Sequence, residues 1–197
     1  FIVGMDWENG KPKKLSAFSL YKSEDTKNPT LFLKHESKYG QTNYFDNRNT
    51  DSAVPRKFYA PEAAIGESFA AFAKAAADFI LSKNYDIVIL NDWTTGLIAT
   101  YLKEAKEQGR KIPKIIFAVH NLAYQGLFPK SLVDFMGLNS KHFSINGYEY
   151  WNQVSFLKAG LQYSDMTYTV SPQYAKEIGT IRYGAGLDGL VREQASQ

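Results

Sequence analysis

A carboxylate, an indole, an imidazole, an amide and a phenol stand just past the ends of two short apolar runs in the middle of this chain. Asp86-Ile-Val-Ile-Leu90 leads into Asn91-Asp92-Trp93-Thr94-Thr95-Gly96. Lys114-Ile-Ile-Phe-Ala-Val119 leads into His120-Asn121-Leu122-Ala123-Tyr124-Gln125-Gly126. Runs of this kind suit parallel strands buried on both faces. In an open α/β sheet, ligands bind in the crevice outside the carboxyl ends of such strands. Hydrogen-bonding and ring-bearing groups delivered to adjacent strand ends suit a polyhydroxylated ligand, and core packing alone would not require them.

Each residue also has a plainer reading. Asp92 directly follows a strand, where a carboxylate caps the next helix near Thr94 as readily as it meets a ligand. Trp93 stacks on a sugar face or simply covers the helix start. His120 is one of three histidines, with His35 and His142, and their dispersal resembles no zinc site. Its place at a strand end leaves a structural and a ligand-contacting role both open. Lys158, in the apolar segment Phe156–Leu161, reads as a core-helix lysine snorkelling outward. Gly184-Ala-Gly186-Leu-Asp-Gly189 spells G-x-G-x-x-G. That loop needs a strand before it, and here a helix precedes, so it reads as a connection. No nucleophilic triad, P-loop or H-E-x-x-H spelling occurs.

The elements that position these groups follow from periodicity. Residues 1–20 suggest strands around a turn at Asn9-Gly10-Lys11-Pro12, with Phe1–Val3 in a strand. Residues 21–65 are polar and poorly periodic, a divergent, loop-rich region. From Ser68, Phe69, Phe72, Ala73, Ala76, Phe79 and Ile80 share a helical face that ends near Lys83-Asn84. A strand at 86–90 follows, then a helix with Leu97, Ile98, Tyr101 and Leu102 inward, stopped at Gly109. Beyond lie a strand at 115–119, short helices at 131–136 and 152–163, and a strand at 166–170. The last helix opens on Ser171-Pro172 and closes at Gly179. Alternating strand and helix predict one α/β, Rossmann-like doubly wound domain over 1–197, with a mostly parallel sheet.

Composition narrows the class. The chain is 44% hydrophobic and 22% charged, ordinary for a globular domain, and its net charge of +3 forms no basic stripe. No nucleic-acid partner is therefore expected. Cysteine is absent, which rules out disulfides and thiolate metal sites. No stretch approaches the ~20 apolar residues of a membrane helix. With no initiator Met and no closing signal, the chain reads as an interior piece of a longer protein.

Together, these motifs resemble the bacterial glycogen synthase and plant starch synthase family. The matching stretches are Asn91–Leu97, His120–Gly126, Val154–Leu161, Thr169–Ile178 and Tyr183–Leu190, in the same order and at similar spacing. The resemblance implies the N-terminal, acceptor-side half of a GT-B glucosyltransferase. Such an enzyme transfers glucose from ADP-glucose, or another nucleotide-glucose, to the non-reducing end of an α-1,4-glucan with retention. It implies no metal or other cofactor and a cytoplasmic setting. His120 would lie against the donor sugar at its 6-hydroxyl, and Asp92 at the glucose and acceptor site. Trp93, Asn121, Tyr124, Gln125 and Gly126 would line the same pocket. The family's first motif usually reads His-Asp-Trp-His, so Asn91 and Thr94 depart from it, with consequences for acceptor contacts. The Lys-Thr-Gly-Gly loop and the second, nucleotide-binding domain lie outside this sequence. The domain alone is therefore expected to be inactive. Two rival readings are a non-catalytic glucan-binding module and a related glycosyltransferase with another acceptor.

Overall fold

The computed structural model describes residues 62–195 continuously, with side chains from Ile65, and before them only strand backbones at 6–8, 11–13, 18–22 and 31–35. The strand expected at Phe1–Val3 and much of the loop-rich 21–65 region fall outside the described residues. β1 (Asp6–Glu8) and β2 (Lys11–Lys13) pair antiparallel with Glu8 opposite Lys11, so Lys11 and Pro12 belong to a strand rather than to a turn. β3 (Phe18–Lys22) and β4 (Leu31–His35) form a second antiparallel pair.

α1 runs Glu62–Leu81 and starts before the expected Ser68. Ala63, Ala64 and Ile65 continue the helical spacing, and alanine is the best helix former. β5 (Ile87–Asn91), α2 (Asp92–Glu107) and β6 (Lys114–Val119) follow. α2 buries Leu97, Ile98, Tyr101 and Leu102 and stops just short of Gly109, as the spacing predicts. After β7 (Leu127–Pro129), α3 (Leu132–Met136) and a 3-10 turn at Ser140–His142, a hairpin appears in place of the first turn of an expected helix. β8 (Glu149–Tyr150) and β9 (Gln153–Ser155) pair antiparallel, and β9 also pairs with β7, placing Val154 opposite Phe128. Trp151 (φ 50°) and Asn152 (φ 61°) make its two-residue turn, the positive-φ geometry that tight hairpins require. Strand pairing with a distant segment thus overrides local helical spacing at 152–155.

α4 (Phe156–Tyr163) begins only where Ser155 Oγ accepts the Lys158 N–H at 3.1 Å, a side-chain N-cap. Leu157 and Leu161 on this helix are fully buried, each worth about 1.5–3 kcal/mol by removal from water. β10 (Met166–Thr169) and α5 (Pro172–Ile178) come next, α5 capped by Ser171 as expected. α6 (Asp188–Ala195) is not among the elements read from the sequence; Arg192 pairs with Asp188 one turn back within it.

The central sheet has the order β10-β6-β5, with both pairs parallel. Its connections pass through α2 and α4, the α/β winding predicted from the alternation of elements. α4 rests so closely on β6 that a Cβ on Gly160 would overlap the Phe117 ring. The opposite face is barer than the apolar runs suggest. Ile87 and Ile89 are each 56% exposed and Met166 is 59% exposed, so among the described residues that side is largely uncovered. Among the described strands β5 and β10 are the edges of this sheet, and burial on both faces holds only toward the C-terminal end of β6, at Phe117–Val119.

Two buried basic residues behave differently from their surface kin. Lys158 does not snorkel outward. Its Nζ donates to the backbone carbonyls of Ile145 (2.7 Å) and Glu149 (2.6 Å) and clamps the segment leading into β8. Burial pushes its pKa down, partly offset by Glu149. His142 is 3% exposed, with Nδ1 2.8 Å from the Tyr163 hydroxyl and Nε2 3.7 Å from the Glu107 carboxylate. Burial outweighs Glu107 and holds its imidazole below the ordinary 6.5. The unfolded chain therefore takes up this proton first, and stability falls as pH drops from about 6.5 toward the folded value. His142→Gln is expected to flatten that stretch of a stability-versus-pH curve measured by urea unfolding. An unchanged slope between pH 6.5 and 5, roughly where carboxylates have yet to titrate, would refute the assignment.

Candidate active site

The parallel register sets Asn91, the last residue of β5, beside Ala118 of β6, so Asp92 and His120 emerge together on one rim of the sheet. The backbone N–H of His120 donates to Asp92 Oδ1 at 2.8 Å, and that of Asn121 reaches the same oxygen at 3.4 Å. Asp92 is therefore not the helix cap of the plainer reading. The N-cap is Asn91, without a side-chain cap bond, and the Asp92 carboxylate instead ties the two strand-end loops together. Asp92 adopts φ 55°, a left-handed conformation uncommon outside glycine. Such strain persists where surrounding contacts over-determine it, and it clusters at ligand-binding sites. Here the chain turns from β5 into α2 at this residue and aims the carboxylate across at β6.

His120 is exposed, and its Nε2 lies 3.0 Å from Asn91 Oδ1. Asn91 was singled out in the sequence only as a departure from a motif. Its contact to His120 follows from register, because position 118 lies two residues before the histidine on the neighbouring strand. Asn121 is also exposed, and its Oδ1 accepts the Ala123 N–H at 3.0 Å. Tyr124 projects into solvent at 67% exposure.

The remaining predicted site residues build the walls. Trp93 packs edge-on to Phe69 at 4.7 Å and against Phe128 at 5.9 Å, so its indole also covers the start of α2. Gly126 takes φ 59° and lies against that indole, where any Cβ would overlap the ring. Only glycine satisfies both demands. Gln125 is buried, 7% exposed, and turns away from the rim. Its Nε2 donates at 2.8 Å to the Ala185 carbonyl, which also accepts the Tyr150 hydroxyl at 2.8 Å. The structure thus brings Asp92, His120 and Asn121 together at the rim and places Trp93 and Gly126 beneath it. Gln125 is assigned to holding the Gly184–Gly189 loop, which follows α5, a helix, as the context argument requires.

Besides Asp92, two helices hold the 120–126 loop. The N–H groups of Phe156 and Leu157, at the start of α4, donate to the Gly126 and Gln125 carbonyls at 3.1 and 3.0 Å. Leu122 N–H donates to the Tyr174 hydroxyl of α5 at 2.9 Å. The rim is therefore a pre-set surface with hydrogen-bonding groups facing outward. Among the described residues no cluster of His, Asp and Glu is arranged to hold a metal ion, and no helix is long and apolar enough to cross a membrane.

Comparison with known proteins agrees with this architecture. The family model described as "Starch synthase catalytic domain" matches residues 3–193. The chain is 44% identical over 134 residues to glycogen synthase of Granulibacter bethesdensis, covering 66% of this chain and 28% of that protein. It is 47% identical over 129 residues to glycogen synthase 1 of Bradyrhizobium diazoefficiens, covering 63% of this chain and 27% of that protein. The fold matches the catalytic domain of starch synthase IV from Arabidopsis thaliana, described as bound to ADP and acarbose, with TM-score 0.72 and 22% identity. That match covers 100% of this chain and 38% of the other. The chain thus spans between a quarter and a third of the length of these two curated relatives. By its match along nearly its whole length, this chain belongs to the starch synthase catalytic domain family.

Proposed function

We propose that this chain is the acceptor-side half of a retaining glucosyltransferase of the glycogen and starch synthase type. The enzyme would move glucose from ADP-glucose, or another nucleotide-glucose, onto the non-reducing end of an α-1,4-glucan. The observation that carries this reading is the shared rim, with the Asp92 carboxylate bonded across to the His120 backbone at 2.8 Å at the carboxyl ends of two parallel strands. His120 is proposed to contact the donor sugar through its 6-hydroxyl. Asp92 holds the two loops in register and, with its second oxygen, faces the glucose and acceptor site. Asn121 and Tyr124 extend the polar and aromatic surface, Trp93 and Gly126 give the pocket its shape, and Gln125 supports it from behind by holding the Gly184–Gly189 loop. A relative in fold that is described as bound to ADP and acarbose supports a nucleotide and a glucan-like ligand for this fold.

Chemistry gives the reason to expect that half a cleft is insufficient. Departure of a nucleoside diphosphate needs cationic groups or helix N-termini aimed at the charge that develops on it. Asn91, Asp92, Thr94, Thr95, His120, Asn121 and Tyr124 at the rim include no Lys or Arg. Donor and acceptor must also be held together in a closed, water-poor space, and closure takes a second wall. The expected result is that the 197-residue chain alone incorporates no glucose from ADP-glucose or UDP-glucose into maltooligosaccharides. The protein carrying both halves should do so without added metal. Transfer by the isolated chain would sink the half-cleft reading. Failure by the two-half protein with both donors would sink the glucan-elongation reading and leave a glucan-binding module or a transferase with another acceptor.

A further inference from the structure

His120 is gripped at two points by consecutive residues of the neighbouring loop. Its backbone N–H goes to Asp92, and its ring Nε2 meets Asn91 Oδ1 at 3.0 Å. Asn91 is itself braced, since its carbonyl accepts the hydroxyls of Thr95 at 2.8 Å and Thr94 at 3.3 Å. The His120 ring makes no other hydrogen bond among the described residues, so Nδ1 is the only ring nitrogen left for a ligand. A neutral imidazole carries its proton on one nitrogen and a lone pair on the other, and the partner of one nitrogen decides the role of the other. The atom of Asn91 that faces the ring is its oxygen, which can only accept.

We propose that Asn91 is a positioning residue that locks His120 as the Nε2–H tautomer, so that the ring meets its ligand through Nδ1 as a hydrogen-bond acceptor. This deepens the transferase reading and rests on it for the identity of the ligand. A bare Nδ1 accepts from a sugar hydroxyl and offers nothing to a phosphate oxygen, which needs a donor. The histidine would therefore sort the hydroxylated end of a nucleotide-sugar from its diphosphate. The departure from the usual motif at position 91 then has a purpose: an uncharged amide beside the ring supplies an acceptor without introducing a second titrating group.

The test is a two-bond 1H–15N correlation spectrum of the histidine rings in the 197-residue chain at about pH 9, where an imidazole is ordinarily neutral. His120→Gln identifies the His120 signals. The wild type is expected to show a protonated Nε2, a bare Nδ1 and an ordered ring. Asn91→Asp keeps an acceptor oxygen but removes the amide donor, and should retain that signature. Asn91→Ala should lose it, with both tautomers populated and ring order reduced. A protonated Nδ1 in the wild type overturns the proposal. So does a signature lost in Asn91→Asp, or one unchanged in tautomer and order in Asn91→Ala. These readouts need no turnover, so they stand apart from any failure of the transferase assay.

Discussion

Replacing His120 by alanine in the protein that carries both halves of the cleft is expected, on the proposed transferase reading, to lower glucose transfer about 10²- to 10³-fold, the scale of losing one preorganised hydrogen-bonding group in a reaction site. Stability should hardly change. The ring is exposed, and its one hydrogen bond among the described residues is to Asn91, itself solvent-facing. The backbone N–H of residue 120 survives the substitution and keeps its bond to Asp92, so the two loops stay in register. Paired measurements of kcat/KM and Tm check this. Activity within about threefold of wild type would remove His120 from the chemistry, since an essential contact costs far more. A large fall in Tm would show that the ring works by packing.

Gly96→Ala is expected to do the reverse and damage the fold first. Gly96 is buried where α2 crosses α4, and a Cβ there would overlap the backbone carbonyl of Phe156 and crowd the Gly160 amide. Backbone cannot swing aside as a side chain can. α4 is also pinned from below, because Gly160 itself rests on the Phe117 ring. Overpacking of this kind costs about 3 kcal/mol or more, which in a domain of this size lowers Tm by roughly 6–12 °C. Activity should suffer as a consequence, because the displaced α4 amides hold the Gln125 and Gly126 carbonyls. A circular-dichroism melt decides it. A variant melting within about 2 °C of wild type would mean that α2 and α4 separate cheaply.

These two substitutions mark different kinds of legibility. Gly96 stands in a motif that the sequence presents as a strand end and a helix start, yet its reason is a crossing between helices some sixty positions apart, which no local pattern announces. The place of His120 on the rim was legible, because a polar ring directly after a buried apolar run points to the open end of a sheet. Gln125 misleads for the opposite reason. It lies in the same motif as His120, but the chain turns at Gly126 and sends the amide back to Ala185.

By itself, the amino-acid order determined the elements that depend on neighbours in the chain. The apolar face of α2, the Ser171-Pro172 opening of α5 and the strand cores of β5 and β6 all follow from spacing and capping within a few residues. Tertiary structure decided what depends on partners far along the chain. β9 is a strand because β7 pairs with it, and Lys158 is buried because two distant carbonyls receive its ammonium. Asp92 became a tie between loops rather than a cap because β6 presents the His120 amide within reach. Periodicity is a property of adjacent residues, whereas the fate of a hydrogen-bonding side chain is set by whichever partner the fold delivers to it.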